Sequence, residues 1–106
     1  MAQDTTKAPP SIDTDLDLLG TALRAAQSDE DLVRFLRDLL TPGEIRTLAE
    51  RWRVARLLDE GGHSYREISE MTGASTTTVT RVARFLSQEP WLGYRSVLDR
   101  LKEADQ

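Results

Sequence analysis

Five hydroxyl side chains crowd six consecutive positions at Ser75, Thr76, Thr77, Thr78 and Thr80, and Arg81 and Arg84 follow directly. Short hydroxyls hydrogen-bond base edges or phosphates, and threonine methyls pack on the methyl of thymine. Arginine presents a planar fork that fits a guanine edge or a phosphate. Arg66, a little upstream, has the length for either contact, and Arg84 suits a phosphate. Threonine forms helices poorly, so propensity gives no reason for Thr76, Thr77, Thr78 and Thr80 to gather in one short stretch. From Met71 to Gln88 there is no acidic residue. This is binding chemistry. With no cysteine and a single histidine, His63, in 106 residues, no thiolate metal site, cysteine nucleophile or metal cluster is available. We assign no catalytic residue, no metal ligand and no bound cofactor, and a modifying enzyme, lacking a nucleophile–base pair or phosphate loop, ranks last.

Net charge is −4, which taken whole argues against nucleic acid. The distribution argues otherwise. Residues 1–40 carry four basic and eight acidic side chains, whereas residues 41–86 carry seven and six. Exposed charges farther apart than about 8–10 Å are largely screened, so a local basic face still meets phosphates. No apolar run approaches the ~20 residues of a membrane span. No basic-then-apolar leader is visible, so the cytoplasm is the expected compartment.

Helical signals position these groups. Residues 1–12 are polar, with paired prolines, and read as a flexible tail; 13–106 reads as one helical domain. Leu16, Leu19, Leu23 and Ala26 set a first helix over roughly 14–27. Ser28 and Asp31 cap a second, carrying Leu32, Phe35, Leu36 and Leu39. Thr41-Pro42-Gly43-Glu44 opens a third, striped by Ile45, Leu48, Trp52, Ala55 and Leu58 and closed by Gly61-Gly62. Ser64 and Glu67 form a capping box for a short helix with Ile68 and Met71 on one face. Gly73 permits φ > 0 at a steep turn, and Ser75 caps the helix with Val79, Val82 and Phe85 or Leu86 inward. A last helix opens at Pro90 with Trp91, Tyr94, Leu98 and Leu101. No strand pattern appears, so the fold is all-α with about six helices.

With Gly73 at the ninth position of a helix-turn-helix spanning about 64–87, small Ser69 falls at the fifth. Apolar Ile68, Ala74, Val79 and Val82 fall at the fourth, tenth, fifteenth and eighteenth. These are the positions at which the two helices touch and lock their angle. The coincidence of this packing, the hydroxyl cluster and the missing acids favours DNA contact over a merely solvated polar face. The broad apolar faces (Val54 and Leu57 beside the third helix's stripe, Leu92 and Val97 beside the last's) suggest burial from two sides, most simply in a dimer, with a well-packed monomer as the alternative. Trp52, Trp91 and Tyr94 are read as packing aromatics, His63 as a solvated loop residue, and Asp13, Asp15 and Asp17 as a solvated face favouring the helix dipole.

The stretch LLTPGEIRTLAERWRVARLLDEGGHSYREISEMTGASTTTVTRVARFL (39–86) resembles the tryptophan-repressor superfamily, specifically its YerC/YecD branch. LTP-x-E, the RWRVARLL helix and the GAS-T-TTVTRV turn and helix carry the likeness. It extends over about nine-tenths of the chain through LDLLGTAL and the closing helix. The resemblance implies a Trp-repressor-like intertwined homodimer whose two helix-turn-helix heads read a palindromic operator in double-stranded DNA. It implies base contact for Arg66 and DNA-facing roles for Ser69, Thr76, Thr77, Thr78 and Thr80. It also implies an effector pocket: Arg51 and Arg81 hold the places that sandwich an indole, with Thr41 from the partner chain and backbone carbonyls near Asp38 and Leu40. Val82 replaces a small pocket residue and Phe85 a hydroxyl. The implied effector is therefore a small amino acid other than tryptophan, or none, with Phe85 filling the slot. Structural ion pairs with Glu44, Glu50 or Asp38 remain open for the two arginines. The expected function is a transcriptional regulator, a repressor by its family. The rival is a dimeric protein-interaction module.

Overall fold

The structure, a computed structural model, describes residues 11–105. Six α-helices follow one another: α1 Ile12–Ala25, α2 Asp29–Leu39, α3 Pro42–Glu60, α4 Tyr65–Thr72, α5 Thr76–Ser87 and α6 Gly93–Ala104. The chain divides after Thr41 into two compact units.

In the first unit, each helix starts where a serine satisfies an orphan amide. Ser11 Oγ accepts from Asp13 N at 3.1 Å and Ser28 Oγ from Asp31 N at 3.0 Å. The Ser11 cap starts α1 two residues before the expected 14, and Ala26 is already extended. Of the expected 1–12 tail, only Ser11 and Ile12 are described, and they cap and open a helix; residues 1–10 lie outside the described residues. Acidic residues crowd both first turns, Asp13 and Asp15 in α1 and Asp29, Glu30 and Asp31 in α2, where the helix dipole favours negative charge. Neither helix buries a residue. Ile12, Leu16 and Leu18 stay exposed, at 77%, 61% and 64%.

The second unit is built on α3. Pro42 supplies a preset φ at the first helical position, and Gly61 and Gly62, at φ 78° and 84°, end the helix. Its core joins Val54 and Ala55 of α3, Ile68 of α4, Ala74 of the turn and Val79 and Val82 of α5. Trp52, Leu57, Leu58 and Tyr94 pack against that cluster. Val54 lies off the apolar stripe that the sequence suggested, yet it is fully buried, while Leu48 on the stripe is exposed. In the C-terminal half of α3, stripe residues Trp52, Ala55 and Leu58 and their neighbours Val54 and Leu57 all meet this core, while at its N-terminal end Ile45 is half-buried and Leu48 exposed. Met71, expected beside Ile68 on the inner face, is also exposed.

The last helix begins at Gly93, three residues after Pro90. Leu92 precedes it in the left-handed region, at φ 55°. Trp91 is thereby outside the helix and, in the single chain, 79% exposed, so it does not pack within the chain as its spacing suggested. Tyr94 and Leu98 do pack inward. A charged clasp ties α6 to α3: Arg95 Nη2 donates to Asp59 Oδ1 at 2.7 Å, and Lys102 Nζ pairs with Asp59 Oδ2 at 2.9 Å. Hydrogen bonds from Lys102 and then Arg95 hold the Asp59 carboxyl below its ordinary value. The Asp59 bond in turn raises Arg95.

Candidate nucleic-acid interface

The helix-turn-helix is set by side-chain clips rather than by the turn backbone alone. At the start of α4, Ser64 Oγ accepts from Glu67 N at 3.1 Å and Glu67 Oε1 accepts from Ser64 N at 2.7 Å, a complete capping box. These bonds to Ser64 hold the Glu67 carboxyl below its ordinary value. At the end of α4, Gly73 takes φ 80°, the left-handed conformation a β-carbon disfavours. Thr72 Oγ1 donates to Ile68 O at 2.7 Å and accepts from Ala74 N at 3.1 Å. Ser69 Oγ donates to Ala74 O at 2.6 Å. The part-buried hydroxyls of Ser69 and Thr72 are thus hydrogen-bonded, as partial desolvation favours.

The crossing presents the N-terminal turns of α5 to solvent. Ser75 caps the helix, its Oγ accepting from Thr78 N and donating to Thr78 Oγ1, both at 3.1 Å. Thr76, Thr77, Thr80, Arg81 and Arg84 line one cleft of about 340 Å³. Thr80 Oγ1 donates to Thr76 O at 2.9 Å, leaving lone pairs to accept from a ligand. Arg66 projects from α4 with its side chain 87% exposed and only a 3.8 Å pairing with Glu70. The expected DNA-facing set therefore sorts by position. Thr76, Thr77, Thr80, Arg84, Arg66 and Ser75 are exposed, while Ser69 and Thr78 are half-buried, and Ser69, Ser75, Thr78 and Thr80 each carry a bond within the motif.

Arg81, whose family position implies an effector contact, also lines the exposed cleft. The signal was available, since Thr77, Arg81 and Arg84 fall at i, i+4 and i+7 on one helical face. Thr72, which clips the turn, was missed altogether; a threonine immediately before the turn glycine was its only sign. The other pocket residues are placed as follows. Val82 is buried in the core. Arg51 is half-buried on α3, with its Nε enclosed and lacking a hydrogen-bond partner. Phe85 is half-buried, with the Arg81 guanidinium carbon 4.5 Å and that of Arg84 5.2 Å from its ring centroid. Thr41 belongs to the first unit. His63 is exposed in the loop before α4.

A family described as Trp repressor protein matches residues 14–102. An uncharacterised protein, YerC of Bacillus subtilis, is 42% identical over 91 residues, covering 86% of this chain and 86% of that protein. The chain belongs to the Trp repressor family, among its YerC relatives. A TrpR-like protein from Eubacterium eligens superposes with a TM-score of 0.76 at 35% identity, over 84% of this chain and 90% of that one. The Trp repressor fold is that of a regulator and not of an enzyme family. Among the described residues no His, Asp and Glu side chains gather into a possible metal site, and no helix is long and apolar enough to cross a membrane.

Proposed function

We propose that this protein is a sequence-specific DNA-binding transcriptional repressor that acts as a homodimer on a palindromic operator. One observation carries the reading: the acid-free start of α5 places Thr76, Thr77, Thr80, Arg81 and Arg84 in a single solvent-facing cleft. In a recognition helix, these N-terminal turns meet base edges in the major groove. Thr76, Thr77 and Thr80 read bases there, Arg66 reaches a base or phosphate from α4, and Arg81 and Arg84 neutralise phosphates. The role is occupancy of DNA, without catalysis.

Dimerisation is supported by apolar surface that a single chain leaves in water. Ile12, Leu16 and Leu18 in the first unit and Trp91, Val97 and Leu101 in the second are all about half exposed or more. Burying a large apolar side chain is worth about 1.5–3 kcal/mol, so a second copy covering these faces gains substantially. The reading further holds that operator binding needs no amino-acid effector, because the Phe85 ring already lies against the Arg81 guanidinium, 4.5 Å from its carbon. A site on the cytoplasmic side, where DNA is, accords with this role.

One observation favours the rival reading of a protein-interaction module. An almost wholly apolar groove of about 490 Å³ is lined by Trp52, Phe85, Trp91, Gly93, Tyr94 and Val97. Salt separates the two readings. Binding of a random-sequence duplex, followed by fluorescence anisotropy between about 0.05 and 0.2 M salt, should weaken with a steep linear log–log slope. A flat response, or no duplex binding at the lowest salt, would transfer the assignment to the protein module.

A further inference from the structure

Phe85 is the one aromatic residue of α5, and it stands where the apolar groove meets the basic cleft. On one side it shares the wall of the groove with Trp52, Trp91 and Tyr94. On the other its ring is approached by both cations of the cleft, Arg81 at 4.5 Å and Arg84 at 5.2 Å. Arg81 precedes it by four residues, the spacing at which helical side chains meet, and Arg84 precedes it directly. Arginine side chains lose much rotamer freedom when fixed, and both of these are exposed residues of the cleft. An aromatic face within about 6 Å attracts a guanidinium and restricts it without consuming its hydrogen-bond donors. Those donors stay available to phosphate oxygens.

We propose that Phe85 is a positioning residue for DNA binding, whose ring holds the Arg81 and Arg84 guanidinium groups in a phosphate-ready arrangement with no bound ligand. The inference rests on the DNA reading above and assigns a task to a side chain that touches no DNA itself. Arg84 is held from a second direction as well: its Nε lies 3.3 Å from Glu89 Oε2. The ring restrains the cation from one side while the carboxylate competes with a phosphate for its donors. Binding therefore exchanges Glu89 for a phosphate and leaves the ring contact in place.

The test compares wild type with Phe85→Leu, which keeps apolar bulk but removes the π face, and with Phe85→Tyr, which restores it. Two readouts are needed. The first is the ring-current shift of the Arg81 and Arg84 side-chain resonances by NMR, measured without DNA. The second is affinity and salt slope for a random-sequence duplex of about 30 base pairs, with each lost phosphate contact flattening the slope by about one. We expect upfield-shifted arginine resonances in wild type and Phe85→Tyr and their loss in Phe85→Leu. Duplex binding by Phe85→Leu should be about tenfold weaker with a shallower slope, at an unchanged far-UV spectrum, and Phe85→Tyr should recover it. Unshifted arginine resonances in wild type, or a Phe85→Leu slope equal to wild type, overturns the proposal. If Phe85→Leu fails to fold, recovery by Phe85→Tyr without shifted resonances overturns it equally. A wild type that shows the shifts yet binds no duplex overturns the DNA reading itself, an outcome distinct from a failed clamp.

Discussion

At the N-terminus of α5, the side chains that face solvent and those that hold the turn alternate within a few residues. Thr77 is exposed in the first turn and lines the cleft. A carboxylate there favours the positive end of the helix dipole but repels phosphate. Thr77→Asp should therefore leave the melting temperature unchanged or slightly raised while lowering duplex affinity by at least about a hundredfold, checked by parallel melts and anisotropy titrations. Glu89 makes the opposite prediction. Its carboxylate pairs with Arg84, so Glu89→Gln should strengthen duplex binding by about 1.4- to fivefold, an exposed ion pair being worth about 0.2–1 kcal/mol. Weaker binding by that variant would show that Glu89 supports Arg84 and does not compete for it. The hydroxyl cluster was legible in the sequence, but its division of labour was not. That Ser69 donates to Ala74 O depends on the left-handed step at Gly73, which brings that carbonyl back over α4. Residue type alone carries no such information. The helical phase of Arg81, four residues after Thr77 and three before Arg84, is the physical signal for its place on the cleft.

The starts of α2, α4 and α5 were legible from their caps, whereas the Ser11 cap of α1 lay in the stretch that reads as a tail. Ser28, Ser64 and Ser75 each accept from the amide three residues on, the pattern a sequence displays openly. The same holds for the glycines at 61, 62 and 73, all at positive φ. The start of α6 was not legible, because it is set by Leu92 in a left-handed conformation that leucine seldom adopts. Equally hidden was the Asp59 clasp between α3 and α6, whose partners lie 36 residues or more along the chain. That clasp makes a prediction about acid. The Asp59 carboxyl is held below its ordinary 3.8, so its contribution is fully present above that value and is lost as pH falls through the depressed one. Thermal melts at about pH 5 and about pH 2.5 should show a smaller acid-induced loss for Asp59→Asn than for wild type, from a lower starting stability. An equal loss in the two proteins would remove the clasp from the account of acid stability.

For the whole molecule, what a single chain buries and what it exposes point in different directions. The second unit encloses a small core around Val54, Ile68, Val79 and Val82, whereas α1 and α2 bury none of their residues. The breadth of apolar faces was readable from sequence, as was the family. The groove beside Phe85 was not, since it is assembled from α3, α5, α6 and the turn between the last two. Leu16 separates the dimer from a well-packed monomer. It is 61% exposed in the single chain, and a charge at such a site costs a monomer within about 0.5 kcal/mol. Sedimentation should give twice the 11.9 kDa chain mass for wild type and a shift to monomer for Leu16→Glu. A Leu16→Glu protein that sediments like wild type would exclude this face from the interface.

The central claim, that two α5 helices read an operator together and need no effector, is tested most directly by selection from a random duplex library. The purified protein is used at about 0.1 M salt, with and without a mixture of the twenty amino acids. We expect the same two-fold-symmetric motif to be enriched in both arms. No enrichment in either arm contradicts specific DNA reading, and a motif that appears only with the mixture contradicts a recognition face that Phe85 completes on its own.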